Sequence, residues 1–220
     1  MRTAALILYL VFSVVHLCDS YRDDARARAR TKPFLLFFLI LYYLFCAGDD
    51  IRGFLLAALI ACWLGDVLLI PKGHGWFTAG GISFLFGHIF FILAYMQNID
   101  YAAVPWLIVI PIALVYYYIS VKIILALIPT TPKAMLPPMC LYLIANSTMN
   151  AFALMQLFTH KNAAAAIAYA GALLFFVSDC TLFLVRYYKN PNLIYRRHFT
   201  VMLTYLAGEL LIVIGMLRLL

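Results

Sequence analysis

The sequence predicts an all-α fold, a polytopic membrane bundle of eight transmembrane helices forming a single integral-membrane domain over residues 1–220. Three observations predict it. The 220 residues are 66% hydrophobic and only 11% charged, where a soluble domain is about half apolar and a quarter charged. Mean hydropathy is correspondingly high, at +0.98. The apolar residues also come in continuous runs near the ~20 residues that cross a bilayer, not in the alternation of a membrane β-barrel.

The runs are read in order from the polar breaks between them. The first covers residues 3–18 and ends at His16-Leu17-Cys18-Asp19, which lacks the small residues of a signal cleavage site, so it is kept as a helix. The second, 33–47, follows the basic stretch Arg22–Lys32 and stops at Gly48-Asp49-Asp50. The third, 53–70, is closed by Pro71-Lys72-Gly73, and the fourth, 79–97, by Gln97-Asn98. The fifth, 103–120, contains Pro105 and Pro111 and is followed by the Pro129–Lys133 break. The sixth, 135–158, ends before His160-Lys161-Asn162. The seventh, 163–186, and the eighth, 199–218, flank Lys189-Asn190-Pro191-Asn192.

Eight spans put both termini on one side, and the basic residues orient them. Twelve of the sixteen fall on one set of loops: Arg22, Arg26, Arg28, Arg30, Lys32, Lys72, Lys122, Lys133, Arg186, Lys189, Arg196 and Arg197. Arg2, Arg52, Lys161 and Arg218 lie on the other side. Positive residues concentrate on cytoplasmic loops, so both termini are expected outside the cytoplasm. The net charge of +7 is this topology signal plus attraction to anionic headgroups, and nothing in it calls for nucleic acid. The Arg22–Lys32 segment reads as a solvated loop facing the headgroups. The five cysteines are scattered singly without a CxxC pair and read as small apolar packing residues.

Three carboxylates interrupt the apolar runs: Asp66, Asp179 and Glu209. An ionisable group at bilayer depth costs about 2.5–3.5 kcal/mol on insertion scales, so such groups tend to be functional. Asp66 and Asp179 fall at similar depth in the cytoplasmic third, and no Lys or Arg is placed at that depth in any predicted span. His88 is then the nearby candidate cation. Polar stripes at helical spacing accompany it: Ser83 and His88 on the fourth span, Tyr142, Asn146 and Asn150 on the sixth, Ser178 and Asp179 on the seventh, Tyr205 and Glu209 on the eighth. Asn146 and Asn150 serve equally well as interhelical hydrogen-bond glue. Glu209 reads slightly better as a structural, protonated group than as a catalytic one.

Two carboxylates sharing a low-dielectric cavity repel, so one proton is expected to stay with the pair. A protonated acid beside an ionised partner suits hydrolysis through an oxocarbenium ion, as in glycosides, acetals and vinyl ethers. The carboxyl groups are expected roughly 5–10 Å apart on one cavity, with His88 lining it. No serine nucleophile elbow or HExxH is present, and no metal or cofactor is expected.

The stretches Trp63-Leu64-Gly65-Asp66-Val67-Leu68-Leu69, Gly80-Gly81-Ile82-Ser83-Phe84-Leu85-Phe86-Gly87-His88 and Gly171-Ala172-Leu173-Leu174-Phe175-Phe176-Val177-Ser178-Asp179 resemble the YhhN family of multi-pass membrane proteins. The closing Tyr205-Leu206-Ala207-Gly208-Glu209-Leu210-Leu211-Ile212 is similar to that family's last helix, where Gln is expected at least as often as Glu. The resemblance implies lysoplasmalogenase-type chemistry: a lysoplasmalogen substrate, cleaved at its vinyl ether to a fatty aldehyde and glycerophosphoethanolamine or glycerophosphocholine. Asp66 and Asp179 would then be catalytic. His88, Ser83, Ser178, Asn146, Tyr142 and Glu209 would orient water or substrate, and the basic rim of Lys72, Arg186, Arg196 and Arg197 would meet the phosphate. Proton-coupled transport also uses carboxylates at membrane depth and is the competing class. The inverted repeats common in such carriers are not evident.

Overall fold

The computed structural model describes residues 1–190 and 193–219. Pro191 and Asn192 of the last polar break, and Leu220, lie outside the described residues. Among the described residues the chain forms eight α-helices: α1 (Arg2–Tyr21), α2 (Ala25–Ala47), α3 (Gly53–Leu68), α4 (His74–Met96), α5 (Trp106–Leu127), α6 (Leu136–His160), α7 (Ala163–Tyr187) and α8 (His198–Leu217). A short 3-10 turn, Lys133–Met135, leads into α6.

The largest departure from the sequence reading is at α2. The Arg22–Lys32 segment is not a loop, because α2 starts at Ala25, eight residues before the predicted 33. Asp24 caps it, accepting hydrogen bonds from the amides of Arg26 and Ala27 at 3.0 and 3.1 Å. Alternating Ala and Arg are strong helix formers, so a stretch that reads as charged loop continues the helix instead. Pro33 falls inside α2, and its carbonyl accepts the Trp63 indole N–H from α3 at 2.8 Å. Helix α5 is displaced the other way. It begins at Trp106, directly after Pro105, and continues to Leu127, which takes Lys122 into the helix.

Helices α1, α2, α4, α5, α7 and α8 are long and apolar enough to cross a membrane. Helix α3 has 16 residues, a rise of about 24 Å against a hydrocarbon core of about 30 Å. Helix α6 has 25 residues but carries the polar stripe Tyr142–Asn146–Asn150 along its buried side. The chain is thus an integral, multi-pass, all-helical membrane protein.

Helices α1, α2, α3, α4, α6, α7 and α8 form a ring, closed where α8 packs on α1 and α2, and α5 lies outside against α6 and α7. Small residues set the closest approaches. A Cβ built on Gly171 of α7 would lie 2.6 Å from the Gly208 carbonyl oxygen and the Ile212 amide of α8. One on Gly208 would meet the Gly171 oxygen and the Phe175 amide at 2.9 Å. Gly215 of α8 sits equally tight against the Ala168 backbone. Between α3 and α4, Gly87 faces Cys62 and Gly65 faces the Phe84 ring. Tyr9 of α1 donates to the Leu206 carbonyl of α8 at 2.6 Å, which ties the ends of the ring together.

Candidate active site

At the end of the bundle where α1 joins α2 and α7 joins α8, the ring encloses a cavity of about 360 Å³. Asp66 from the last turn of α3 and Asp179 from α7 both line it, with Lys32, Tyr142, Ser178, Arg186, Arg197, His198 and Tyr205. Both aspartates are almost fully buried, at 1% and 4% exposure. Leu69, Phe77, Phe84 and Leu182 are among its apolar walls.

The two carboxylates have different partners. Lys32 Nζ lies 3.3 Å from Asp66 Oδ1, and the Tyr205 hydroxyl donates to Asp66 Oδ2 at 2.9 Å. The Lys32 ammonium is a correction to the expectation that no Lys or Arg reaches this depth. Helix α2 begins early enough to carry Lys32 into the wall, and a long lysine stem lets its head reach inward. A carboxylate accepting from an ammonium and a hydroxyl is satisfied as the anion. Tyr205 is held in place by edge-on packing against Phe84 and Phe175, with ring centroids at 5.8 and 5.3 Å.

Asp179 faces His88 of α4, whose Nε2 lies 3.0 Å from Asp179 Oδ2 in a contact bent away from a straight hydrogen bond. The other ring nitrogen, Nδ1, is 2.8 Å from the Phe84 carbonyl oxygen. A carbonyl only accepts, so Nδ1 carries a proton and the neutral ring presents a lone pair at Nε2. Nε2 and the Asp179 carboxylate therefore compete for one further proton. The pair is stored either as imidazolium and carboxylate or as imidazole and carboxylic acid. The Tyr142 ring packs edge-on against the imidazole at 4.9 Å.

Of the residues singled out in the sequence, Asp66, Asp179, Ser178 and Tyr142 line the cavity. His88 does not: it is fully buried and packs behind the lining residues Asp179, Phe84 and Tyr142. Ser178 donates to the Val201 carbonyl at 2.9 Å, pinning α7 to α8. Ser83 also lies off the cavity, because its hydroxyl donates to the Ala61 carbonyl at 2.7 Å and joins α4 to α3. Asn146 and Asn150 are buried along α6, where the Asn150 amide donates to the Asn146 backbone oxygen at 3.0 Å. Glu209 is fully buried near the Cys62 thiol, with neither oxygen in a well-formed hydrogen bond. Of the basic rim, Arg186 and Arg197 reach the cavity and Lys72 does not. In the sequence Lys32 counts only among the basic loop residues, and nothing singles out His198.

A narrower apolar groove continues from the cavity between α4 and α6, past Gly81, Ile82, Met135 and Met139. Leu69, Phe77, Phe84, Tyr142 and Leu182 line both spaces, so one leads into the other. Ile82 is 45% exposed on the outer surface of the bundle, where lipid chains would lie. A Cβ on Gly81 would meet nothing within 4 Å, so the glycine leaves the groove open.

A buried carboxylate pair and an apolar groove inside a polytopic helical bundle define a multi-pass membrane protein with a polar interior cavity. The chain belongs to the YhhN family, whose family model matches residues 27–216. No curated protein and no solved structure matches it significantly.

Proposed function

We propose that this protein is a membrane-embedded hydrolase of the lysoplasmalogenase type, acting on the vinyl ether of a lysophospholipid. The observation that carries the reading is the unlike pairing of two aspartates on one cavity: Asp66 against Lys32 and Tyr205, Asp179 against His88. The unlike partners assign unlike roles. Asp179, sharing its proton with His88, protonates the outer vinyl carbon. The resulting oxocarbenium ion lies near the Asp66 carboxylate, which stabilises its charge and takes a proton from the water that adds to the inner carbon. The hemiacetal then collapses: Asp66 returns its proton to the departing glycerol oxygen as the carbon–oxygen bond breaks, the hemiacetal hydroxyl gives its proton to Asp179, and a fatty aldehyde is released with both aspartates restored. The alkenyl chain occupies the apolar groove past Gly81. Neither metal nor cofactor takes part.

The test is incubation of the purified protein, in lipid nanodiscs, with a lysoplasmalogen and with the matching alkyl ether. Aldehyde is expected from the first and none from the second, since an alkyl ether forms no cation by protonation at carbon. No aldehyde from either ethanolamine or choline lysoplasmalogen sinks the hydrolase and leaves proton-coupled transport as the better reading. The same assay reads the groove. Gly81→Phe adds a ring at a position where a Cβ meets nothing within 4 Å, and is expected to slow cleavage of long-chain substrate at least tenfold while sparing a short-chain analogue. Equal effects on both chain lengths would remove the alkenyl chain from the groove.

In the same proposal the single domain over residues 1–220 crosses the membrane eight times, with the short α3 and the polar α6 counted among the spans. Both termini lie outside the cytoplasm, and the cavity opens towards the basic, cytoplasmic side. Reporter fusions at Leu220 and in the Arg22–Asp24 turn should give opposite answers. A cytoplasmic C-terminus contradicts the eight-span topology.

A further inference from the structure

Beside the carboxylate cavity lies a second one, of about 220 Å³, which shares Arg197 and His198 with it. Its remaining walls are Ser20 and Tyr21 from the end of α1, Asp23 from the α1–α2 turn, and Ile194 and Arg196 before α8. Helix α8 begins here with Arg197 at the N-cap and no side-chain cap on its first amides. The Phe199 amide donates to the Arg196 carbonyl at 2.8 Å, and the helix start carries partial positive charge. Two further features give the space the character of a site. Ser20, 2% exposed, is a wall residue of this cavity, and its buried hydroxyl has no hydrogen-bond partner among the described residues. The guanidinium of Arg196 is stacked on the Tyr21 ring at 4.3 Å, which fixes a cation in the wall.

Hydroxyl, guanidinium groups and helix start together suit a phosphate. Asp23 also faces the cavity, paired through Oδ1 with Arg28 at 2.7 Å. Arg28 holds its carboxyl below the ordinary value, so it stays an anion. A carboxylate repels a bare dianionic phosphate but attracts a phosphate that carries its own cation.

We propose that this second cavity binds the zwitterionic phosphodiester headgroup of the lysolipid, with phosphate at Ser20, Arg197 and the start of α8 and the ammonium towards Asp23. The proposal rests on the hydrolase reading for its ligand, and the spacing agrees with it. From His198 to Tyr205, the residue that holds Asp66, is seven residues of α8, a rise of about 10 Å. The seven bonds from the outer vinyl carbon to the phosphorus span about 9 Å when extended. A vinyl ether held at the aspartates therefore delivers its phosphate to the end of α8.

Binding tests this without turnover. The probes are a non-cleavable alkyl lysophosphoethanolamine, the matching alkyl lysophosphatidate, the alkylglycerol without phosphate, and inorganic phosphate, each titrated into nanodisc-embedded protein. Wild type should bind the ethanolamine lipid at least tenfold more tightly than either the alkylglycerol or the lysophosphatidate. Ser20→Val and Arg197→Gln should each erase most of the advantage over alkylglycerol while alkylglycerol binding stays unchanged. Asp23→Asn should narrow the gap to lysophosphatidate alone. Equal affinity of wild type for the ethanolamine lipid and alkylglycerol overturns the assignment, as does a loss in the variants that falls equally on both lipids. Inorganic phosphate binding as tightly as the lipid would make this a free-anion site and also overturn it. A wild type that shows the expected preference yet releases no aldehyde would remove the hydrolase and leave the headgroup site standing.

Discussion

Asp179→Asn is expected to abolish aldehyde release, lowering the rate by roughly 10²–10⁴-fold, the usual worth of a general acid. Asn keeps the size of the side chain and its hydrogen-bonding capacity near His88 but holds no acidic proton. Asp66→Asn is expected to cost roughly 10²–10³-fold, the scale of losing one electrostatic contact to a developing charge. The two variants should differ in stability as well. Removing the Asp66 charge leaves the Lys32 ammonium, only 15% exposed, without its counter-ion. Breaking a buried pair by removing one partner costs about 3–5 kcal/mol. Lys32→Met added to Asp66→Asn should therefore recover thermal stability but not activity. Glu209→Gln should lose far less than either aspartate variant, since Glu209 does not line the cavity. Full activity in either aspartate variant would end the paired-carboxylate mechanism.

Replacing Gly171 with Val is expected to have the largest effect on folding. A Cβ there already collides with backbone atoms of α8, at 2.6 Å from both the Gly208 oxygen and the Ile212 amide. Backbone cannot swing aside as a flexible side chain can, so the helices must separate. Overpacking typically costs 1–3 kcal/mol, and this site should lie at or above the top of that range. The matched control is Gly81→Ala, where the added methyl meets nothing within 4 Å. Trading Gly for Ala inside a helix should then be neutral or stabilising by up to about 1 kcal/mol. Thermal unfolding in detergent compares the two. An unchanged midpoint for Gly171→Val would mean that α7 and α8 do not meet as described.

The sequence made the helical runs legible, and it singled out Asp66 and Asp179, which line one cavity, because continuous apolarity and charge at membrane depth are strong local signals. It was less informative where two local signals conflict. Asp24 and the Ala-Arg repeat favour helix, while the charge of Arg22–Lys32 suggests loop, and capping prevails. That displacement hid Lys32, the residue that most changes the electrostatics of the site. His88 was recognisable as a partner but not as one standing behind Asp179, since helical spacing gives the face of a helix and not the layer order between helices. Ser83 was misplaced for the same reason. Its face is right, but a nearby carbonyl on α3 takes its proton. Ser20, Asp23 and His198 of the second cavity carry no pattern of their own, and only the meeting of α1 and α8 brings them together.

The groove beside Gly81 runs between α4 and α6 towards the lipid-facing surface at Ile82. A substrate that arrives sideways never needs to dissolve in water. For the proposed hydrolase the concentration that matters is the mole fraction of lysolipid in its own leaflet. Adding inert phospholipid at constant total lysolipid should then slow turnover by two-dimensional dilution, while changing the volume of buffer around the same vesicles should leave it untouched.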